Sequence, residues 1–201
     1  MDKKTEASRA AYNKIAAGYE GSREGRYTRF HIRELADTIL LREGDVVLDV
    51  ACGNGALLRE LAGRADIQGN GVDIAENMVR EAKRRCPHMK FEAMPCCPLA
   101  WGEESVDVIT VCCAFHHFAD PWGFVRECKR VLRKGGAAYV ADPNFGAAVR
   151  FLANRLCFPF SKSGDVKVYS QKELKAFFEQ AGFRKVEAYR KGRGVFLKAE
   201  K

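Results

Sequence analysis

The sequence predicts an α/β fold in which helices cover both faces of a mostly parallel sheet. Two observations lead to this class. Short apolar runs with strand character alternate with segments of helical periodicity through the middle of the chain, as in repeated strand–helix–strand units. The first strand also runs directly into a glycine turn that precedes a helix. With 201 residues, 47% of them hydrophobic, the chain has enough apolar surface for one well-packed domain.

The alternating part predicts five strands and three helices. The strands are expected at 46–50, 67–73, 88–92, 106–112 and 136–142, and the helices at 55–64, 76–85 and 121–132. Lys and Arg are frequent near the end of the third helix, which favours a helix carboxyl terminus there, and Gly135 and Gly136 are expected to close it.

The C-terminal segment predicts one more helix and a hairpin. Ser170 and Glu173 have the spacing of a capping box, which begins a helix that runs to Gln180 and ends at Gly182. Two further strands, at about 184–190 and 193–199, are expected to pair across a turn at Lys191-Gly192. The predicted sheet therefore has seven strands.

Two segments lie outside the alternation. Residues 8–43 have helical periodicity, and residues 143–169 combine an amphipathic run from Phe145 to Phe158 with a polar loop to Lys167. Both are expected to cover the carboxyl edge of the sheet, where ligands of such folds sit. A purely scaffolding role is the alternative.

Charge, cysteines and hydropathy restrict the function classes. The net charge of +8 comes from basic residues spread over several segments, which is typical of a solvated face, and no stretch interleaves arginines with aromatic residues as a strand-binding groove would. Nucleic acid is therefore disfavoured as a partner. The sequence shows no apolar run long enough for a membrane span and no signal peptide, so we expect a cytoplasmic protein whose eight cysteines are reduced.

A glycine turn flanked by two acids is the strongest functional signal. Asp49 lies at the end of the first strand, Gly53, Asn54 and Gly55 form the turn, and Asp73 ends the next strand. Glycines in such a turn can take positive φ and let a ligand approach the backbone closely, and the following helix points its amino terminus at the turn. The arrangement indicates a nucleoside site at the carboxyl edge of the sheet.

Two details select the ligand. A dinucleotide fingerprint needs a third glycine at the position where this chain has Leu58. Asp49 would repel phosphates, whereas a cationic or zwitterionic ligand would tolerate it. S-adenosylmethionine is not a dinucleotide, and it carries an ammonium and a sulfonium but no phosphate. It is therefore compatible both with the missing third glycine and with the charge of Asp49.

The motifs resemble those of a known family. Residues 48–55 (LDVACGNG) and 71–78 (GVDIAENM) are similar to the first two cofactor motifs of class I S-adenosylmethionine-dependent methyltransferases. The motifs at 105–109 (SVDVI), 115–118 (FHHF) and 131–136 (VLRKGG) resemble the small-molecule branch that includes ubiquinone- and menaquinone-type enzymes. The resemblance covers nearly the whole chain. It implies a three-layer Rossmann-like fold, a C-terminal strand inserted antiparallel into the sheet, and S-adenosyl-L-methionine as cofactor, with S-adenosyl-L-homocysteine as product.

The resemblance also implies that residues 1–201 form a single domain whose segments have different roles. Residues 8–43 would form a helical lid, 44–142 the cofactor-binding core, 143–169 a substrate cap, and 170–201 the C-terminal helix and hairpin. In the resembling enzymes the lid and cap cover the acceptor, so these segments are expected to decide substrate choice.

At the glycine turn the resemblance implies specific roles. Asp49, Gly53 and Gly55 would line the methionine end of the cofactor, and the Asp73 carboxylate would accept hydrogen bonds from both ribose hydroxyls. Family members often have glycine where this chain has Ala51, which is a mild change.

The residues expected near the adenine of the cofactor match the family pattern less closely than the glycine turn does. Ile74 and Met78 would pack near the base. Family members often have Asp-Ala after the third strand to contact the adenine amino group, whereas this chain has Pro95 and Cys96, so that contact would come from the Cys96 backbone or be absent. The predicted cofactor residues are Asp49, Ala51, Cys52, Gly53, Asn54, Gly55, Asp73, Ile74, Met78, Pro95, Cys96, Cys112 and Tyr19.

His116 and His117 are the predicted catalytic residues. In the resembling enzymes their position, after the fourth strand, faces the transferred methyl group, and we expect one ring to face the pocket and the other to pack beneath it. Methyl transfer from a sulfonium mainly needs alignment and exclusion of water, so a general base helps only an acceptor that keeps its proton. Ordinary packing histidines are the alternative. Tyr12, Tyr19 and Tyr27 are expected either to close over the cofactor or to form the core of the lid.

Two adjacent cysteine pairs, Cys96-Cys97 and Cys112-Cys113, end the third and fourth strands. Neither pair has C-x-x-C zinc spacing, and no metal ligand is predicted. Small buried thiols are the expected role, and a soft-ligand site that holds arsenite for methylation is the alternative.

The predicted function is S-adenosylmethionine-dependent methyl transfer to an oxygen, nitrogen or carbon atom of a small molecule. A non-catalytic S-adenosylmethionine binder is the first alternative, because the adenine-contact aspartate is missing. An RNA methyltransferase is the second, because of the positive charge. An enzyme acting on exocyclic amines of bases is disfavoured, because residues 112–115 read CCAF instead of Asn or Asp, two prolines and an aromatic. The sequence predicts neither the acceptor nor an oligomeric state.

Overall fold

A seven-stranded sheet forms the centre of the fold in the computed structural model, which describes residues 2–201. The strands are β1 (Val46–Val50), β2 (Gln68–Asp73), β3 (Lys90–Ala93), β4 (Val106–Cys112), β5 (Leu132–Pro143), β6 (Arg184–Lys191) and β7 (Gly194–Glu200). Their order across the sheet is β3-β2-β1-β4-β5-β7-β6. β7 pairs antiparallel with β5 and β6, and the other neighbouring strands are parallel. The predicted fold class and the inserted antiparallel strand are confirmed.

Helices cover both faces of this sheet. They are α1 (Lys3–Ile15), α2 (Arg23–Thr38), α3 (Ala56–Ala62), α4 (Glu76–Arg85), α5 (Pro121–Val131), α6 (Ala147–Leu152) and α7 (Gln171–Gln180). Side chains alternate along β1: Leu48 and Val50 pack in the buried cluster that includes α5 and α7, and Val47 packs in the cluster that includes α2, α3 and α4. Within residues 2–201, no helix combines the length and apolar character needed to cross a bilayer.

The start of α7 follows the predicted capping box. The Glu173 N–H donates to the Ser170 hydroxyl at 3.1 Å, and the Ser170 N–H donates to the Glu173 carboxylate at 2.8 Å. Both orphan donors at the helix start are thereby satisfied. The helix ends at Gln180, and Gly182 just beyond it has a φ of +81°. This prediction is confirmed.

The predicted role of Gly135 and Gly136 as the cap of α5 is wrong. The helix ends at Val131, and Leu132 already belongs to β5. Gly135 and Gly136 lie inside an irregular stretch of β5, where a Cβ on Gly136 would approach the carbonyl oxygen of Asp107 to 2.7 Å. Close approach of two strands, rather than a helix cap, therefore requires glycine here. The other predicted bounds of individual strands and helices differ from the observed ones by at most two residues, except that β5 begins four residues before its predicted start.

The segment after β5 lies largely at the surface of the domain. α6 and the π and 3₁₀ turns that follow it, Ala153–Cys157 and Phe158–Phe160, contain no buried residue, all of them lying in the described part of the chain. The amphipathic pattern therefore does not bury an apolar face in the domain. The exposed apolar side chains are Val149, Phe151, Leu152, Leu156 and Phe160.

The chain then returns to the sheet edge. The N–H groups of Val166 and Lys167 both donate to the carbonyl of His116, at 2.9 and 3.1 Å. These hydrogen bonds hold the loop after the exposed segment against the end of β4.

Candidate functional site

A cavity of about 460 Å³ lies at the carboxyl edge of the sheet. Its volume is typical of a small-molecule site. The wall is built from the ends of β1, β2 and β4, the stretch after β3, and side chains of α1 and the turn that follows it. The amino-terminal helices thus cover the edge where the carboxyl ends of four parallel strands meet.

Most of the predicted site residues lie in this wall. Those lining it are Tyr19, Ala51, Gly53, Asp73, Ile74, Met78, Pro95, Cys96, Cys112 and His117. The others, placed behind the lining, are Asp49, Cys52, Asn54, Gly55 and His116. Their roles toward a ligand stay predictions.

The Asp73 carboxylate joins the two motif strands. Its Oδ2 accepts the N–H of Gly53 at 2.8 Å, and its Oδ1 accepts the N–H of Ala75 at 2.8 Å. Burial raises the pKa of Asp73 to about 6, against the lowering effect of these two hydrogen bonds. The carboxylate is therefore largely ionised at neutral pH, and each oxygen keeps a lone pair that can accept a ligand hydroxyl.

Asp49 is a second buried acid just behind the wall. The Thr110 hydroxyl donates to its Oδ1 at 2.7 Å. Burial, opposed by the hydrogen bond from Thr110 and supported by the charge of Asp73, raises the pKa of Asp49 to about 7. A positive ligand in the cavity would therefore stabilise the ionised form of Asp49.

The charges of the wall discriminate between ligand classes. Three acids line it, Asp2, Asp73 and Asp120, and among residues 2–201 no lysine or arginine does. A phosphate-bearing nucleotide would find no cationic partner in this wall, whereas a nucleoside with a sulfonium and an ammonium suits it. The residues present therefore fit S-adenosylmethionine.

Ala51 holds the turn in a conformation that favours glycine. Its φ is +58°, in the left-handed region, where a Cβ meets the following carbonyl. Alanine is therefore a less mild change here than the sequence suggests, and this backbone shows why the resembling enzymes often have glycine at the position.

We expect Ala51→Gly to raise the free energy of unfolding by about 0.5–1 kcal/mol. Relief of left-handed strain, about 1–2 kcal/mol, outweighs the entropy that glycine adds to the unfolded chain. Urea unfolding measures the change. Ala119→Gly, at another wall alanine without positive φ, is the control and should not stabilise. A less stable Ala51→Gly protein would contradict the strain argument.

The histidine pair occupies the 3₁₀ turn after β4, with ring centroids 4.1 Å apart. His117 lines the cavity, and its Nε2 lies 3.2 Å from the Tyr12 hydroxyl. Its Nδ1 is buried and has no hydrogen-bond partner within the described chain. Burial, with a smaller effect of His116, lowers the pKa of His117 to about 3, so this imidazole is neutral.

His116 lies behind His117, between two carboxylates. Its Nδ1 is 2.9 Å from Oδ1 of Asp142, and its Nε2 is 3.5 Å from Oδ1 of Asp165. Burial opposes the positive charge on His116, but Asp142 and Asp165 outweigh it and raise the pKa to about 8. The expected arrangement, one ring at the pocket and one beneath, is what the structure shows.

The two carboxylates beside His116 are absent from the sequence prediction. Asp142 lies at the end of β5, as Asp49 and Asp73 lie at the ends of β1 and β2, so its position at a strand end is a signal that could have found it. Asp165 belongs to an irregular loop, and its place beside the histidines depends on tertiary structure alone.

Two of the three predicted lid tyrosines line the cavity. Tyr12 and Tyr19 lie in its wall, with ring centroids 6.3 Å apart. Both also pack on the small cluster formed with Met78. Tyr27 lies elsewhere, and its hydroxyl donates to the carbonyl of Arg193 at 3.1 Å.

All four paired cysteines line the same cavity. Cys113 differs from the others in its ionisation. Burial raises its pKa, but the neighbouring thiol of Cys112 and the imidazole of His31 outweigh burial and lower the pKa to about 6. The thiols of Cys96 and Cys97 have raised pKa values because they are buried.

We expect Cys113 to be alkylated by iodoacetamide at neutral pH, because the thiolate is the nucleophile. Because the pKa is lowered to about 6, the thiolate of Cys113 predominates above pH 6. The alkylation rate should therefore fall about tenfold from pH 7 to pH 5. Peptide mass spectrometry follows the site, and Cys113→Ser should remove the rapid phase. A rate that rises only near pH 9 would contradict the proposed ionisation.

Comparison with known proteins shows similarity to methyltransferases. Residues 48–140 match the family described as methyltransferase domain. The 27-O-demethylrifamycin SV methyltransferase of Amycolatopsis mediterranei is 33% identical over 114 residues, which cover 54% of this chain and 42% of that protein. The demethylmenaquinone methyltransferase of Thermotoga maritima is 30% identical over 111 residues, which cover 55% of this chain and 48% of that protein. Each match thus spans less than half the length of the relative.

Among solved structures, a chain of a complex that contains the Haloferax volcanii Trm112 methyltransferase activator has a TM-score of 0.84 at 21% identity, over 96% of both chains. That likeness shows the fold. The glycine turn, both strand-end acids and the histidine pair all fall within the matched domain. Over residues 48–140, slightly less than half of its length, this chain is therefore similar to the methyltransferase domain family.

Proposed function

We propose that this protein transfers the methyl group of S-adenosyl-L-methionine to an oxygen, nitrogen or carbon atom of a small molecule. The observation that carries the proposal is the cavity wall, in which the Gly53 turn and the Asp73 carboxylate stand beside further acids, while residues 2–201 contribute no lysine or arginine to it. The cofactor would supply a methyl group already activated on a sulfonium.

The wall residues would hold the cofactor along the strand ends. Asp73 would accept the ribose hydroxyls through the lone pairs that Gly53 and Ala75 leave free. Ile74 and Met78 would pack near the adenine, next to the stretch that contains Cys96. Asp49 would act from behind the wall, by its charge, at the methionine end.

The chemistry would need little from the protein besides alignment and exclusion of water. Tyr12 and Tyr19 would cover the cofactor, since both line the cavity from the α1 side. His117 would contact the acceptor. Because the pKa of His117 is lowered to about 3, it is a weak proton acceptor, and its role would be to position the acceptor rather than to remove its proton.

Two supporting observations concern the acceptor and the compartment. The names of the two relatives above indicate small-molecule methylation by those proteins, which favours a small-molecule acceptor here. All eight cysteines are free thiols, which supports a cytoplasmic location, where thiols stay reduced.

Transfer of a tritiated methyl group from S-adenosylmethionine tests the function. The protein is incubated with phenols, hydroxyquinones, amines and bulk tRNA, and product is counted separately in an organic extract and on RNA-retaining filters. We expect label in the small-molecule fraction. Tight cofactor binding without transfer to any acceptor would make the protein a non-catalytic binder, and label on RNA, with RNA binding that weakens steeply as salt rises, would make it an RNA methyltransferase.

A further inference from the structure

Two imidazoles and one carboxylate form a compact cluster at the cavity wall. One ligand atom from each of His116, His117 and Asp165 lies within 4.8 Å of the others. The histidines come from the turn after β4 and the aspartate from the loop that returns to the sheet edge, so the cluster is assembled by the fold. Two histidines and a carboxylate with open positions are the ligand set of several catalytic zinc and iron sites.

The separation of two donor atoms suits a shared ion. His116 Nε2 and Asp165 Oδ1 are 3.5 Å apart. Two ligand atoms that each lie about 2.1 Å from a tetrahedral ion are about 3.4 Å from one another. The pair therefore needs almost no movement to hold one ion.

Outer contacts fix the ligand orientation. His116 Nδ1 lies 2.9 Å from Asp142, a buried carboxylate, which directs Nε2 toward the cluster. The other oxygen of Asp165, Oδ2, accepts hydrogen bonds from the hydroxyls of Ser161 and Ser163, which leaves Oδ1 for the cluster. A carboxylate behind a ligating histidine and hydrogen bonds behind a ligating carboxylate are typical of metal sites.

His117 supplies the second observation. Its Nδ1 is a buried polar atom without a partner among the described residues, which is unusual in a folded protein. Since His117 lines the cavity, an ion bound here would have a free position on the cavity side.

We propose that His116, His117 and Asp165 bind one divalent transition-metal ion, for which Zn²⁺ is the best fit, with an open position toward the cavity. A catalytic role for the ion rests on the proposed methyl transfer. It narrows the methyl acceptor from an oxygen, nitrogen or carbon atom to an oxygen atom. The acceptor hydroxyl would bind the ion and lose its proton to solvent, because a bound divalent ion lowers the pKa of its oxygen ligand. That oxygen then forms the new C–O bond while the C–S bond breaks and its electron pair stays on sulfur.

Metal titration tests the site without any methyl donor. The full chain is stripped with chelator, then titrated with Zn²⁺ by calorimetry and with Co²⁺ by visible absorbance. We expect one ion per chain, a Co²⁺ spectrum of a site with nitrogen ligands, and at least tenfold weaker binding in His117→Ala and in Asp165→Asn. Asp142→Asn, which removes only the outer carboxylate, should weaken binding about 10–100-fold. Circular dichroism of each variant without metal verifies folding.

Two controls separate this site from other metal-binding groups. His88→Ala changes an exposed histidine and should leave affinity unchanged. Cys97→Ala/Cys113→Ala removes two cavity thiols and should also leave the stoichiometry unchanged. Absence of stoichiometric binding, or binding that survives loss of His117 and Asp165, would overturn the proposal, and so would binding that depends on the thiols.

The results of metal titration and of the methyl-transfer assay distinguish the metal-site proposal from the proposed methyl transfer. Stoichiometric metal binding in a protein that methylates nothing would keep the metal site and refute methyl transfer. Methyl transfer that persists in the chelated protein and in Asp165→Asn would keep the enzyme and overturn the catalytic role of the ion.

Discussion

Replacing Asp73 with alanine should lower the affinity for S-adenosylmethionine by about 100-fold or more. The substitution removes the carboxylate that accepts hydrogen bonds from Gly53 and Ala75, and it removes the proposed partner of both ribose hydroxyls. Hydrogen bonds to a charged group are worth about 1.5–3 kcal/mol each, and 1.4 kcal/mol is a factor of ten in affinity. Isothermal titration calorimetry with the cofactor measures the loss.

Asp66→Ala is the matched control for Asp73→Ala. Asp66 is exposed and lies just before β2, whereas Asp73 is buried at the other end of the same strand. We expect the control to bind the cofactor as the native protein does. An Asp73→Ala protein that is folded and binds within twofold of the native affinity would refute the ribose assignment.

Gly71→Ala should lower the free energy of unfolding by about 1–3 kcal/mol. A Cβ at this position in β2 would lie 2.6 Å from Cδ1 of Phe91 and 2.8 Å from Sγ of Cys52, both buried. The new methyl group therefore forces side chains of a packed core to move. For a chain of this length the midpoint of thermal unfolding should fall by several degrees, at about 2–4 °C per kcal/mol.

Two further variants separate overpacking from a general effect of losing glycine. Gly102→Ala places a methyl group where nothing lies within 4 Å and should be nearly neutral. Phe91→Leu removes the ring atoms that Gly71→Ala would strike, so the double variant should be less destabilised than the sum of the single ones. Additive losses, or equal losses at Gly71 and Gly102, would contradict the packing argument.

The fold and the centre of the site follow from local sequence signals. The strand that ends at Asp49 leads directly into its glycine turn, and the acid at Asp73 ends the next strand, so parallel strand ends bring them to one edge. These features depend on residues close in sequence and on the geometry of a parallel sheet. They could therefore be predicted without tertiary information.

The features that sequence reasoning missed depend on packing between distant segments. Asp165 reaches His116 only because a loop folds back over β4, and no periodicity marks that loop. Gly135 and Gly136 resemble a helix cap, but both lie in β5, where Gly136 packs close to the backbone of Asp107. The pattern in α6 is amphipathic, yet the described chain offers it no surface on which to bury its apolar face.

Calorimetry with four ligands tests the central claim, that the acidic cavity selects an ammonium-bearing adenosyl compound without phosphates. The native chain is titrated with S-adenosylmethionine, S-adenosylhomocysteine, NAD and ATP under identical conditions. We predict stoichiometric binding of the two adenosyl compounds and no binding of NAD or ATP. Binding of either phosphate-bearing nucleotide, with no binding of the adenosyl compounds, would contradict the account.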